Sequence, residues 1–211
     1  MDAATDWVVS GGRYGLDLDG SNDFINLGVS RISGSEHRSV SLWARFYVVA
    51  SGGVNRIVYS SGNTASAGTQ FEFGQSGIGG GWYFQGFSTN ATFTAGDTNL
   101  HHHCLTYNGA TLQWWIDGVS IGTASLSLNT DGSVHNIGRD IVFNSSYFQG
   151  FVDDLRIYNR VLPQHQIRLL ASRRGIAYER RKRKQVYFGA AFFNPAWARN
   201  SNVLLSPVGA A

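Results

Sequence analysis

The stretch of sequence that decides the fold is HHHCLTYNGATLQWWIDGVSIGTAS, residues 101–125. It contains three runs rich in apolar and β-branched residues. The dipeptides Asn-Gly at 108–109 and Asp-Gly at 117–118 separate these runs. Both dipeptides favour the left-handed backbone of tight hairpin turns. The stretch therefore predicts three antiparallel strands joined by two hairpins.

Similar short strands are predicted on both sides of this meander. Residues 39–49, SVSLWARFYVV, alternate between an apolar face and a mixed face, as expected for a strand that packs against a second sheet. About a dozen such runs are separated by glycine-rich turns. Helical periodicity is confined to residues 163–172. The pattern predicts an all-β sandwich of two antiparallel sheets, and the single cysteine, Cys104, excludes an intrachain disulfide.

The distribution of charge divides the chain into two parts. Residues 1–172 carry nine basic and 13 acidic side chains, a net charge of −4, whereas residues 173–211 carry eight basic side chains and one acidic, a net charge of +7. The strand pattern also ends near residue 172. We therefore predict a sandwich domain at residues 1–172 and a basic, apolar C-terminal docking arm at residues 173–211.

The composition of this arm favours a protein partner. Its basic cluster at residues 180–184 could contact nucleic-acid phosphates. The aromatic residues that follow would be poorly solvated if extended in water, and such arms dock by strand addition or by filling a groove. Nucleic acid is thus the less favoured partner, and no apolar run is long enough to predict a membrane span. The predicted docking residues are Arg180, Arg181, Lys182, Arg183, Lys184, Tyr187, Phe188, Phe192, Phe193 and Trp197.

Four segments together resemble the laminin G-like domains of the concanavalin A-like lectin/glucanase superfamily. They are LDLDGSNDFINLG at 16–28, SVSLWARF at 39–46, the meander at 101–125, and FQGFVDDLRIYNRVLPQHQI at 148–167. The resemblance implies a concanavalin A-like jelly-roll sandwich over residues 12–171. Leu100 departs from it, because the family usually has a tryptophan there. The residues after 172 resemble C-terminal extensions of bacteriophage structural proteins.

The acidic residues argue against an enzyme. Glycoside hydrolysis uses two carboxyl groups that flank the scissile bond. The enzymes of the superfamily that this chain resembles typically carry these carboxyl groups in a strand with the pattern Glu-x-Asp-x-x-Glu. The chain has only the glutamates Glu36, Glu72 and Glu179, and none has an acidic neighbour at the second or fourth following position. The sequence therefore predicts a protein without catalytic activity.

Aromatic residues on the predicted sheets suggest carbohydrate binding instead. Sugars stack on exposed rings beside hydrogen-bonding side chains. The candidate residues are Trp82, Tyr83, Trp43 and Glu72. Each ring could equally belong to the sandwich core. Trp114 and Trp115 are adjacent in a strand, so they point to opposite faces and at least one is expected in the core.

A structural Ca²⁺ ion is implied by the resemblance alone. Similar domains hold this ion between an acidic residue of the closing strand and the opening turn, which correspond here to Asp153, Asp19 and Asp23. The alternative is that Asp19 and Asp23 only shape the turn, while Asp153 pairs with an arginine. His101 and His103 share a strand face and could bind Zn²⁺, but the sequence offers no evident third ligand.

Two functional hypotheses follow. The first is a non-enzymatic virion structural protein, a capsid decoration or tail-associated protein, that displays the lectin-like domain and is anchored to other virion proteins by residues 173–211. The start of the chain, MDAATDWVV, has no signal-peptide pattern, so we expect synthesis in the host cytoplasm and a place in the virion as a homo-oligomer or assembly subunit. The alternative is a carbohydrate-binding module that recognises a host cell-surface or environmental glycan.

Overall fold

The computed structural model describes residues 6–141 and 146–175, and these residues form thirteen strands and one helix. The strands are β1 (Trp7–Ser10), β2 (Arg13–Asp19), β3 (Ile25–Asn26), β4 (Arg38–Phe46), β5 (Arg56–Gly62), β6 (Gln70–Gln75), β7 (Gly81–Gln85), β8 (Asn90–Ala95), β9 (Leu100–Tyr107), β10 (Thr111–Ile116), β11 (Val119–Ser125), β12 (His135–Ile137) and β13 (Gln149–Tyr158). The helix is α1 (Gln164–Ser172).

The strands form two antiparallel sheets. The order is β1-β2-β13-β4-β9-β10-β11 in the seven-stranded sheet and β3-β12-β5-β6-β7-β8 in the six-stranded sheet. Neighbours in space are often distant in sequence, since β13 lies between β2 and β4. This arrangement confirms the predicted all-β jelly-roll sandwich.

The core lies between the sheets and decides which residues face outward. In β4, Val40, Leu42, Ala44 and Phe46 alternate with outward-facing residues and are at most 1% exposed. Four aromatic rings of β6 and β7 face the core, and they are Phe71, Phe73, Trp82 and Phe84. Because successive side chains of a strand point to opposite faces, the residues between these rings lie on the outer face of the six-stranded sheet.

The meander from residue 101 forms three adjacent strands, as predicted. Its second turn places Asp117 and Gly118 at φ 50° and 78°, the left-handed region that an Asp-Gly turn adopts readily. Trp114 is fully buried in the main core. Trp115 packs on the other face of the sheet, with Cys104 and the inner side of α1. The two adjacent tryptophans therefore do point to opposite faces.

The helix α1 begins one residue later than predicted. The described residues end at Gly175, three residues after this helix. Ile167 and Leu170 pack this helix against the seven-stranded sheet. Gly175 N donates a hydrogen bond to Asp154 Oδ2 over 2.6 Å, which ties the end of the described chain to β13. All predicted docking residues, from Arg180 to Trp197, lie outside the described residues. Within the part that is described, no helix is long and apolar enough to span a membrane.

Candidate functional site

A row of polar side chains crosses the outer face of the six-stranded sheet. Asn136 lies opposite Ser60, Ser60 opposite Glu72, and Glu72 opposite Gln85. Residues that lie directly opposite one another share a face, so all four point away from the core. Asn136, Ser60 and Glu72 are fully buried, whereas Gln85 is half-buried. Among these four residues, solvent and ligands can therefore reach the row only at Gln85, in strand β7.

Side-chain hydrogen bonds connect this accessible edge with the buried part of the row. Tyr83, half-buried in β7, donates its hydroxyl to Gln85 Oε1 over 3.1 Å. Gln85 Nε2 donates to Gln70 Oε1 over 3.1 Å, and Gln70 Nε2 donates to Glu72 Oε2 over 2.7 Å. The surface hydroxyl is thus joined to a buried carboxyl group by three hydrogen bonds.

A second carboxyl group, that of Asp140, contacts the same network. Asp140 Oδ1 lies 3.5 Å from Gln70 Nε2, and the residue is 2% exposed. Burial, followed by the nearby Asp140, raises the pKa of Glu72 well above its ordinary value. Burial and these two carboxyl groups also raise the pKa of Tyr83 to about 12. The tyrosine hydroxyl therefore keeps its proton at neutral pH.

The structure brings together only two of the four predicted carbohydrate-binding residues. Glu72 and Tyr83 belong to the network described above. Trp82 is 2% exposed and packs edge-on against Phe46, so its ring contributes to the core and offers no face for stacking. Trp43 lies on the other sheet, where its ring contacts His102 with centroids 5.6 Å apart.

The aspartates of the opening turn make contacts within that turn. Asp19 Oδ1 accepts hydrogen bonds from the backbone N–H groups of Ser21 and Asn22 at 2.7 and 3.2 Å. Asp23 Oδ2 accepts one from Asp19 N at 3.2 Å. These bonds are those of a carboxylate that shapes a turn, as the alternative interpretation expected.

The aspartate of the closing strand lies away from that turn. Asp19 pairs in register with Gln149, whereas Asp153 is four residues further along β13. Asp153 Oδ2 is 3.6 Å from Arg174 Nη1 and 3.9 Å from Arg13 Nε. In residues 6–141 and 146–175, no group of three or more His, Cys, Asp and Glu side chains is arranged to hold a metal ion. The calcium site stays a prediction.

The consecutive histidines have different surroundings. His101 and His103 share a strand face, with ring centroids 6.2 Å apart. His101 is bonded through both ring nitrogens to aspartates, and His103 Nδ1 accepts a bond of 3.4 Å from Trp114 Nε1. His102, on the opposite face, lies 2.8 Å from Ser41 Oγ through its Nε2. These contacts account for the histidines by hydrogen bonding and packing.

Sequence reasoning missed Asp140, Gln70 and Gln85. Asp140 follows β12 and is 68 residues from Glu72 in the chain, so no local spacing connects the two carboxyl groups. The alternation of Gln70 with Phe71, and of Phe84 with Gln85, was the available signal. It indicates polar residues on the face opposite to the aromatic core.

Comparisons with known proteins agree with this architecture. A family model described as the concanavalin A-like lectin/glucanases superfamily matches residues 19–168. Domain 4 of AbnA, a GH43 extracellular arabinanase from Geobacillus stearothermophilus solved in complex with arabinotriose, is 17% identical with a TM-score of 0.59, and the match covers 78% of this chain and 80% of that chain.

Two further solved structures share the fold. The CBM40 domain of the Ruminococcus gnavus IT-sialidase is 12% identical with a TM-score of 0.56, covering 75% of this chain and 97% of that chain. The heptameric SAP-like pentraxin from Limulus polyphemus is 13% identical with a TM-score of 0.57, covering 74% and 80%. No curated protein matches the sequence. The match of the family model to most of the sandwich shows that the chain belongs to the concanavalin A-like lectin/glucanase superfamily.

Proposed function

We propose that the protein is a non-catalytic carbohydrate-binding module that binds a glycan on the outer face of the six-stranded sheet. The observation that carries this proposal is the network that links Tyr83 and Gln85, both half-buried, to the fully buried Gln70 and Glu72. Sugar-binding sites combine a ring surface with a few well-oriented polar groups. Tyr83 supplies the ring, and the network orients the polar groups around it.

The carboxyl groups support binding rather than hydrolysis. In glycosidases two carboxyl groups stand about 5–10 Å apart, on either side of the bond that breaks. Here Glu72 and Asp140 both contact the amide of Gln70 and are almost completely buried. They lie together beneath the accessible edge, so they do not flank an exposed bond. Two of the structural neighbours are a domain solved with arabinotriose and a CBM40 domain, which agrees with a binding role.

A glycan array probed with the full chain tests the proposal. We expect binding of at least one glycan, and a loss of affinity of about tenfold or more in Tyr83→Ala and Gln85→Ala, since each removes a polar group of the network and part of the contact surface. Gln113→Ala is the matched control, because Gln113 alternates with the core residues Leu112 and Trp114 and so lies on the outer face of the other sheet. Unchanged binding in both site variants would place the site elsewhere. The absence of any glycan ligand would overturn the proposal.

The charge asymmetry supports a second, compatible role. We propose that residues 173–211, with a net charge of +7, anchor the sandwich to an acidic protein surface of a bacteriophage particle, as a capsid decoration or tail-associated protein. Replacing residues 180–184 by glutamine in the full chain should abolish incorporation into particles, whereas Arg199→Gln should not. Normal incorporation of the multiple variant would refute this anchoring role.

A further inference from the structure

The outer face of the six-stranded sheet is covered at one side and open at the other. Every residue of β6 is buried, although Gln70 and Glu72 point away from the core. The segment after β12 provides this cover, because Ser60 Oγ donates to Arg139 O over 2.7 Å and Asp140 lies against Gln70. A ligand therefore reaches this face from β7 outward, and not over β5 or β6.

Two strands carry the open part of this face. Tyr83 and Gln85 of β7 are half-buried, and the residues directly opposite them in β8 are Thr92 and Asn90, which are both exposed. Residues directly opposite one another share a face of the sheet. The strand β8 is the last one in the order of its sheet, so the open surface is two strands wide.

The open surface is longer along the strands than across them. Ala95, which is exposed, lies opposite Gly81 and extends the surface away from Gln85. The distance along β7 from Gly81 to Gln85 is about 13 Å at about 3.3 Å per residue, whereas neighbouring strands are about 5 Å apart. A ligand that contacts the whole surface must therefore run along the strands. This length exceeds that of one sugar ring, so such a ligand contains at least two sugar units.

The ring of Tyr83 is aligned with the same direction. Its hydroxyl reaches the side chain of Gln85, which follows two residues later in the same strand, so the ring leans along β7 instead of standing upright on the sheet. A leaning ring turns one of its faces outward, and sugars stack on such faces. The neighbours of a sugar unit stacked there would lie toward Ala95 on one side and toward Asn90 on the other.

Uncharged polar groups lie beside this ring. Residues 75–96 include no charged side chain. Asn90 offers an amide and Thr92 a hydroxyl, and both groups donate and accept hydrogen bonds, as sugar hydroxyls do. The buried network meanwhile holds Tyr83 and Gln85 from below. The strand β8 can therefore supply contacts to a glycan that the network itself does not make.

We infer that the site takes a linear oligosaccharide of two or more units, which lies along β7 and β8 with one unit on the ring of Tyr83. The inference rests on the proposed function and names the class of ligand that the site takes. It adds Asn90, Thr92 and Ala95 to the residues that contact the glycan.

Oligosaccharides of increasing length test the inference with the full chain. The probes are the cello-, xylo-, manno- and arabino-oligosaccharide series, each from one to five units. In a series that binds, we expect the affinity to rise at least about tenfold from the monosaccharide to the trisaccharide and then to level off, because added units form hydrogen bonds until the surface is filled. Equal affinity for one and three units would overturn the inference and leave the proposed function intact. Failure of every series and of the glycan array would overturn the proposed function itself.

Two variants at opposite ends of the surface locate the bound chain. Asn90→Ala removes a hydrogen-bonding group, and Ala95→Gln places a longer side chain where the ligand would lie. Each should weaken trisaccharide binding by about threefold or more and leave monosaccharide binding at Tyr83 unchanged. This difference separates a contact from a merely structural role, because a general loss of folding weakens the binding of both ligands alike.

The matched controls lie on β11, the edge strand of the other sheet. Thr123→Ala and Ser125→Gln make similar changes at exposed positions there and should not alter the binding of either ligand. Calorimetry measures trisaccharide binding, NMR titration measures the weaker monosaccharide binding, and thermal unfolding verifies that each variant is folded. Unchanged trisaccharide affinity in both site variants, or an equal loss for one and three units, would overturn the inference.

Discussion

His101 Nδ1 lies 2.5 Å from Asp117 Oδ2, and the other nitrogen of the same ring lies 3.1 Å from Asp97. Asp117 belongs to the turn between β10 and β11, and Asp97 to the loop before β9, so one imidazole ring connects two turns. The hydrogen bond with Asp117 is the largest influence on this ring and raises the pKa of His101 to about 9. Asp117 Oδ1 also accepts the backbone N–H of His102 over 2.9 Å.

The contribution of His101 to the stability of the sandwich should therefore fall in alkaline solution. The unfolded chain protonates His101 with a pKa of 6.5, and the folded chain with a pKa of about 9. The stabilisation is fully present below pH 6.5 and is lost as the pH rises through about 9. We expect a loss of about 1 kcal/mol, since both aspartates are nearly half exposed to screening solvent.

Urea unfolding of the wild type and of His101→Gln, at about pH 6 and about pH 10, checks this expectation, because glutamine hydrogen-bonds without titrating. The free energy of unfolding should decrease more in the wild type than in the variant. If both proteins lose the same free energy over this interval, the His101 ion pairs do not cause the pH dependence.

Truncation to alanine should mainly reduce folding stability at Trp82 and mainly reduce glycan binding at Tyr83, although the two residues are neighbours in β7. Trp82→Ala removes a ring from the main core and should cost about 3–5 kcal/mol of folding free energy. Tyr83→Ala removes a half-buried outer ring, so it should cost much less stability but weaken glycan binding. Thermal unfolding and glycan binding of both variants measure the two effects. A stable Trp82→Ala protein that has lost only its binding would contradict the assignment of Trp82 to the core.

Residues 101–125 show why much of the fold could be predicted from the sequence. Their two turns depend on local chemistry, since Asn-Gly and Asp-Gly adopt left-handed backbone without help from the rest of the chain. Strand alternation likewise depends only on neighbouring residues. It predicts that Trp82 and Tyr83 face opposite sides, but not which side becomes the core, because both rings are large and partly apolar.

The candidate site could be predicted only in part, because it depends on pairing between distant strands. Glu72 and Tyr83 were found through their residue types. Asp140 joins them only after β12 has paired with β5 and placed the following segment over β6. A search for acidic neighbours two or four positions from each glutamate does not reach a carboxyl group 68 residues away.

Gly74 should be far less tolerant of substitution than its position in an ordinary strand suggests. A Cβ atom on Gly74 would lie 1.9 Å from the carbonyl oxygen of Arg56 in the neighbouring strand. Gly74→Ala therefore forces β5 and β6 apart and should destabilise by about 3 kcal/mol or more. Gly52 is the control, because a Cβ there has no neighbour within 4 Å and only its φ of 66° is unfavourable.

Gly52→Ala should cost about 1 kcal/mol, the usual penalty for alanine in left-handed backbone. Chemical unfolding of the two alanine variants gives both values. Similar costs would mean that β5 and β6 separate easily at Gly74 and that the close approach of their backbones does not restrict this position.

The stable domain should extend to Gly175 rather than end at Ser172. Arg174 connects the end of the described chain with two strands, because Nη1 is 3.6 Å from Asp153 Oδ2 and Nη2 donates to the carbonyl oxygen of Ser10. Its guanidinium carbon also lies 5.2 Å from the centroid of the Phe151 ring. Truncation after Ser172 removes these contacts and the bond from Gly175 to Asp154.

A protein of residues 1–175 should therefore be more stable than one of residues 1–172 by about 1–3 kcal/mol, because the truncation takes the Arg174 guanidinium from Asp153 and the Gly175 N–H from Asp154, and both carboxylates are partly buried. Thermal and urea unfolding of the two proteins provide the comparison. Arg174→Gln in the longer protein should reproduce most of the loss, because it keeps the chain but removes the charge that faces Asp153. Equal stability of the three proteins would show that Arg174 contributes nothing to the sandwich and that the boundary at residue 172 is adequate.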